Sequence, residues 1–141
     1  MGDIMTFEQM NLDKNIIQAL HTLGYEKPLP VQEKVIPNIL LGTDCIVKSR
    51  TGSGKTASFA IPIIQNLEID ERSPQALVLT PTRELALQIQ QDFDRIGTFK
   101  KIKTLPIFGK QPFKFQKEDL KQRCHVVIGT PGRVLDHLQQ Q

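Results

Sequence analysis

Strand-like and helix-like segments alternate along this 141-residue chain, which predicts an α/β domain on an open, mostly parallel sheet with helices on both faces. Three observations carry that reading. Short apolar runs, Cys45-Ile46-Val47, Ala76-Leu77-Val78-Leu79 and Val126-Val127-Ile128, are each followed by a segment with apolar residues at helical spacing. Each run ends in an unusual turn: Ser49-Arg50-Thr51-Gly52-Ser53-Gly54-Lys55-Thr56, Thr80-Pro81-Thr82-Arg83 and Gly129-Thr130-Pro131-Gly132-Arg133. No apolar run is long enough to cross a membrane, and Pro37 and Pro62 interrupt the longest stretches. In open parallel sheets ligands bind beyond the carboxyl ends of the strands, so those turns are where function is expected.

The elements follow in order. Phe7 lies in a polar lead-in, and Leu12, Ile16, Leu20 and Leu23 mark a first helix closed by Gly24. Pro28 and Pro30 fix an extended turn into a second helix, which carries Val31, Val35, Ile39 and Leu40 inward, contains Pro37 and stops at Gly42. Residues 44–48 read as a strand, and the glycine-rich turn then opens a helix over 57–67, bent at Pro62. An acidic loop over 68–74 leads to Ala76-Leu77-Val78-Leu79, whose unbroken apolar character predicts a strand buried on both faces. Leu85, Ile89, Phe93 and Ile96 line one side of the next helix, ended by Gly97. Leu105-Pro106-Ile107-Phe108 reads as a third strand, which Pro106 assigns to an edge or a bulge. A short basic helix is expected over 113–122. Val126-Val127-Ile128 forms a fourth strand, and a last helix turns Val134, Leu135 and Leu138 inward.

The composition excludes several classes. A hydrophobic share of 39% can bury one real core, and a charged share of 23% is ordinary for a folded domain. Asp3 and Glu8 stand where an export signal would be apolar. Cys45 and Cys124 lie far apart in apolar runs and read as two reduced core thiols. His21, His125 and His137 form no zinc-ligand spacing. These features predict a cytoplasmic protein. The net charge of +3 is unevenly spread: residues 95–123 hold nine Lys/Arg against two Asp/Glu, in an otherwise acidic chain. Such a stretch is either a polyanion-facing surface or a solvated helix face.

The turns carry the chemistry. Glycines let the backbone fold tightly so that several N–H groups point into one nest, and the following helix adds its unpaired N–H groups and positive dipole end. Thr51, Gly52, Ser53 and Gly54 would cradle phosphates, Lys55 would reach the β- and γ-phosphates, and the Thr56 hydroxyl would ligate Mg²⁺. The strict pattern wants Gly at position 49, where this chain has Ser49. Pro81-Thr82-Arg83 and Thr130-Pro131-Gly132-Arg133 each join an Arg, a hydroxyl and helix-start N–H groups. Each alone is a modest anion site or a plain helix cap. Two of them beside a basic stretch suggest a nucleic-acid backbone read through its phosphates.

At this point the residues reach a family. Phe7, seventeen residues before Gly24, with Gly24-Tyr25-Glu26-Lys27-Pro28 and Gln32, resembles the Q motif of DEAD-box RNA helicases. Thr51-Gly52-Ser53-Gly54-Lys55-Thr56 is similar to their motif I, Pro81-Thr82-Arg83-Glu84-Leu85-Ala86 to motif Ia, and Thr130-Pro131-Gly132-Arg133 to motif Ib. The resemblance covers residues 7 to 133 and implies a RecA-like fold that binds ATP, Mg²⁺ and RNA. It implies that Phe7 stacks on adenine, that Gln32 bonds the adenine edge, and that Lys27 and Arg50 flank the nucleotide. It places Lys55 and Thr56 in the catalytic centre. It sets Pro81, Thr82, Arg83, Gly109, Lys110, Thr130, Pro131, Gly132 and Arg133 along the RNA backbone. Read alone, Phe7 is a hydrophobic staple and Gln32 a surface helix residue.

The sequence departs from the family in places. Ser49-Arg50 replaces Ala-Gln, Leu29 stands where a Thr or Ser cap is common, and Gly109-Lys110 replaces Gly-Gly. The Phe-Gly-Lys form resembles a bacterial subgroup acting on large-subunit ribosomal RNA. Neither Asp-Glu-Ala-Asp nor Ser-Ala-Thr occurs in the 141 residues. Residues 1–141 therefore resemble the N-terminal part of the first RecA-like domain, without motif II and without a second RecA-like domain. Hydrolysis needs Mg²⁺ held by a carboxylate and positive charge on the transition state, so this chain alone is expected to bind nucleotide without turnover. Missing sheet neighbours would bare an edge and favour self-association. A binding module that holds RNA or a partner without catalysis is the alternative. An unrelated phosphate-loop kinase or GTPase is disfavoured because the guanine-reading Asn-Lys-x-Asp pattern is absent.

Overall fold

The computed structural model describes residues 6–50, 54–109 and 112–140. The chain divides into two compact units, one of residues up to 66 together with 95–100, the other of 67–94 and 101–141.

The first unit is helical. A 3₁₀ turn, Glu8–Met10, precedes α1 (Lys14–Thr22), α2 (Pro30–Leu40) and α3 (Lys55–Asn66). Helix α1 begins later than the sequence pattern suggests, because Asn11 adopts a left-handed conformation that ends the 3₁₀ turn first. Pro30 occupies the first turn of α2, where a missing N–H costs nothing. Helices α2 and α3 pack on each other, and Ile16, Leu20, Ile36, Ile61 and Ile64 are fully buried. The carboxyl end of α3 is capped from outside: Lys100 Nζ donates to the carbonyls of Ile64 (2.7 Å) and Gln65 (3.0 Å) and lies 3.5 Å from Asp13. A cation there meets the negative end of the helix dipole. One lysine of the basic stretch thus serves the fold.

The predicted strand over 44–48 is not formed. These residues carry no regular secondary structure and no ladder partner, and Ile46 is 103% exposed. A strand needs a neighbour to satisfy its backbone, and an apolar run does not supply one. Cys45 is accordingly exposed, contrary to its expected place in a core, while Cys124 is buried and its thiol pKa is raised by that burial.

The second unit holds the sheet. Strands β1 (Ala76–Leu79), β2 (Thr104–Ile107) and β3 (Val126–Gly129) are all parallel, in the order β1-β3-β2. Helix α4 (Arg83–Ile96), which belongs to this unit as far as residue 94, follows β1. Helix α5 (Phe113–Leu120) crosses from β2 to β3, and α6 (Pro131–Gln139) follows β3. The central strand is β3, buried throughout. Strand β1 is an edge, with Leu77 51% and Leu79 53% exposed, so the expectation of burial on both faces fails for it. Strand β2 is the other edge, as Pro106 requires. Ile107, Cys124, Val127 and Val134 form a core cluster against Leu105 and Leu120.

Register aligns the strand ends. Leu79 and Ile107 both pair with Gly129, and the ladder continues as Thr80 N–H to Gly129 O and Thr130 N–H to Ile107 O, both at 2.9 Å. A Cβ at Gly129 would stand 2.5 Å from the Ile107 carbonyl and 2.7 Å from Val134 Cγ2, so only glycine closes β3 onto its neighbour. At the opposite end the buried His125 accepts from Lys103 N–H through Nδ1 (2.8 Å). Its Nε2 therefore carries the proton, which it donates to Ile69 O (2.9 Å).

Candidate functional site

Two clusters of candidate residues form, one in each unit. In the first unit, Gln32 is not the surface residue its helix pattern suggests, being only 4% exposed. Its Oε1 accepts from Leu29 N–H (2.9 Å), half of a capping box whose other half Leu29 has no oxygen to complete. Its Nε2 reaches the Gly54 carbonyl at 3.4 Å. Gly54 has φ +90°, and a Cβ there would lie 2.7 Å from Gln32 Nε2 and 2.8 Å from Leu29 Cδ1. Gly54 is thus packed against the start of α2, and its positive φ favours glycine. Lys55 and Thr56 occupy the first turn of α3, where backbone N–H groups lack helical partners. Lys55 Nζ donates to the Ser49 carbonyl at 2.6 Å, closing the turn on itself.

A lysine ammonium at a helix start, beside the positive-φ Gly54, makes a cradle suited to an anion. Thr51, Gly52 and Ser53 lie outside the described residues. Arg50 and Lys27 are exposed. Phe7 is 2% exposed, its ring enclosed by protein. Among the described residues no group of His, Cys, Asp and Glu is placed to hold a metal ion.

In the second unit, the in-register strand ends bring three turns to one end of the sheet. Thr82 caps α4, its Oγ1 accepting from Leu85 N–H (3.2 Å), while the Thr80 hydroxyl donates to Thr82 O (3.0 Å). Pro81 and Arg83 are exposed, and the Arg83 guanidinium lies 5.0 Å from the centre of the Phe108 ring. Gly109 lies one residue beyond Phe108 after the end of β2, and Lys110 lies outside the described residues. Thr130 precedes α6 with Pro131 at its first position, Gly132 is exposed, and Arg133 is largely covered.

Sequence reasoning missed the residues around Arg133. Gln116 is 3% exposed, and its Oε1 accepts from Arg133 Nη1 (3.2 Å) and His137 Nε2 (3.1 Å). His137 stacks on Phe113 at 4.1 Å, and Arg133 lies 5.7 Å from the centre of the same ring. Burial, then the Arg133 charge, holds the His137 pKa below its ordinary value. The signal was available: Phe113, Gln116 and Leu120 share one helix face, and an amide in an apolar stripe needs partners. An apolar groove of about 540 Å³ opens beside this network, lined by Leu77, Ile107, Leu120, Val127, Val134 and Leu138 among others. None of the predicted phosphate-facing residues lines it.

Comparison with known proteins places this geometry. The DEAD/DEAH box helicase family model matches residues 29–141. The chain is 53% identical over 134 residues to the ATP-dependent RNA helicase DbpA of Bacillus subtilis, covering 95% of this chain and 28% of that protein. It is 41% identical over 135 residues to the DEAD-box ATP-dependent RNA helicase CshA of Geobacillus kaustophilus, covering 96% of this chain and 29% of the relative. The crystal structure of a DEAD box protein from Methanococcus jannaschii superposes with a TM-score of 0.90 at 42% identity, over 96% of this chain and 37% of that one. The chain therefore spans under a third of these curated relatives. Its three parallel strands form part of an open RecA-like sheet. By the family model, the relatives and the fold together, the chain belongs to the DEAD/DEAH box helicases.

Proposed function

We propose that this chain is the ATP-binding and RNA-backbone-binding part of a cytoplasmic ATP-dependent RNA helicase, the N-terminal part of its first RecA-like domain. The observation that carries the nucleotide half is the buried Gln32 amide, bonded both to the start of α2 and to Gly54. An amide that ties the start of α2 to the residue before Lys55 would couple base selection, through an exchange of one of these bonds for the adenine edge, to phosphate binding. Gly54, Lys55 and Thr56 hold the phosphates, with Thr51, Gly52 and Ser53 completing the turn. Thr56 ligates Mg²⁺, and Lys27 and Arg50 flank the nucleotide. Phe7 would stack on adenine, which requires its covered ring to turn outward when nucleotide binds. Bound ATP supplies a phosphoanhydride whose cleavage, in the whole helicase, drives RNA remodelling.

The RNA half rests on the aligned strand ends, where Pro81, Thr82, Arg83, Gly109, Thr130, Pro131, Gly132 and Arg133 bring together turn N–H groups and guanidinium charge; Lys110 joins this set by sequence, outside the described residues. Such donors read phosphates irrespective of base. Because this end is formed by the second unit's own ladder, a module that binds RNA without using nucleotide is the second reading.

The test is a titration of the purified chain with Mg²⁺ and ADP, ATP, GDP or GTP, beside Lys55→Ala and Gln32→Ala. Saturable binding that is selective for adenine and lost in both variants is expected. Equal binding of guanine nucleotides, or none, would overturn the nucleotide half. RNA binding indifferent to ADP and ATP would favour the second reading.

A further inference from the structure

We propose that Gln116 is a positioning residue that sets the spacing between two RNA-facing turns, Phe108-Gly109 and Thr130-Pro131-Gly132-Arg133. The inference rests on the RNA half of the proposed function. Its geometry lies within the second unit. Gln116 Nε2 donates to the Phe108 carbonyl at 2.8 Å, at the residue before Gly109. Its Oε1 accepts from Arg133 Nη1 and from His137 Nε2. A guanidinium can only donate, so the amide cannot be turned end for end without facing donor to donor and oxygen to oxygen. One buried side chain therefore grips β2 at its carboxyl end with one atom and the arginine of α6 with the other.

The rest of the surroundings serve the same arginine. Arg133 lies over the Phe113 ring, which His137 backs by stacking, and Asp136 Oδ2 stands 3.7 Å from its Nε. A guanidinium has five N–H donors in a rigid fork, so several can be spent on positioning while the group still presents charge. An arginine already held in place loses less freedom when it meets a phosphate. Helix α5 makes this arrangement possible because it crosses from β2 to β3 and lays Gln116 between the two strand ends.

The experiment uses isotope-labelled chain in three forms: wild type, Gln116→Met and Gln116→Glu. Side-chain signals of Arg133 and the backbone amide of Gly109 are recorded without RNA. Affinity for a fluorescent oligouridylate is then measured with Arg133→Ala and the Gln116→Met/Arg133→Ala double variant. In Gln116→Met the Arg133 signals are expected to average and the Gly109 amide to shift. RNA affinity should fall by about threefold to tenfold, the range of one ordinary hydrogen bond's net contribution. The double variant should lose less affinity than the product of the two single losses, because part of what Gln116 does runs through Arg133. Gln116→Glu keeps the volume and the grip on Arg133 but sets an oxygen against Phe108 O, so Gly109 alone should shift. It decides the matter should Gln116→Met fail to fold. A folded variant with Gly109 and Arg133 both unmoved, or affinity losses that simply multiply, would overturn the proposal. Should the wild-type chain fail to bind RNA, the RNA reading falls, and the Gly109 and Arg133 signals still decide what Gln116 holds.

Discussion

Two apolar runs of the same character, Cys45-Ile46-Val47 and Val126-Val127-Ile128, meet opposite fates in this molecule. The second is the central strand of a parallel sheet, paired on both sides and buried at every residue. The first is outside any sheet and exposed, although it leads into the turn the sequence marks most strongly. The difference lies in partners. Val126 to Gly129 find β1 and β2 in register, so the turns beyond them are fixed by backbone hydrogen bonds. The lead-in to Lys55 has no ladder, and its turn is held instead by side-chain contacts: Gln32 on Gly54, and Lys55 on Ser49. The proposed RNA site is thus a product of the sheet, and the proposed nucleotide site a product of helix packing and a few polar contacts.

Substitution of the two isoleucines breaks that comparison most sharply. Ile128→Ala, at a fully buried position, should cost about 2–5 kcal/mol, while Ile46→Ala, fully exposed, should stay within about 0.5 kcal/mol. Urea unfolding of both variants checks this, and equal costs would mean that residues 44–48 are paired in solution. Next in size is Gly129→Ala, which drives a methyl into the Ile107 carbonyl and should cost about 1–3 kcal/mol. Gly132→Ala, with open space at its Cβ, should cost much less in the same assay.

Gln32→Ala sharpens the comparison from the other side. It strips the Leu29 N–H of its partner and frees Gly54, and should cost about 1–2 kcal/mol while abolishing nucleotide binding and sparing RNA binding. Light scattering reads the exposed edge. Leu77 and Leu79 on β1 should promote self-association, reduced in Leu77→Lys, and a monomer at all concentrations would refute it.

The smallest effect is one of pH. The His137 pKa is lowered by burial and by Arg133 and Lys117, against the opposing pull of Asp136. The unfolded chain therefore takes up a proton near 6.5 that the folded chain still refuses. This contribution is fully present above about pH 6.5 and is lost as pH falls through the lower folded value. Thermal melting from pH 8 to 5 should fall less steeply for His137→Gln than for wild type.

Much of this was legible in the sequence, for reasons that also explain what was not. The turns were readable because Gly, Pro, Thr and Arg carry local backbone chemistry, and Pro106 forecast an edge strand correctly. Pairing is not local. Nothing in Ala76-Leu77-Val78-Leu79 says that one side lacks a neighbour, and nothing in Cys45-Ile46-Val47 says that both do. Gln116 was hidden differently: its partners lie at Phe108, Arg133 and His137, two of them on another helix, and only its place in an apolar stripe announced it.

The account's central claim is that nucleotide and RNA are held by different parts of the chain. Amide chemical-shift mapping of the labelled chain tests it directly, with Mg²⁺-ADP in one titration and oligouridylate in another. ADP is predicted to move Gln32, Gly54, Lys55 and Thr56, and RNA to move Arg83, Gly109, Thr130, Gly132 and Arg133. Both ligands moving one common set, or ADP moving the strand-end turns and leaving Gln32 and Gly54 still, would contradict it.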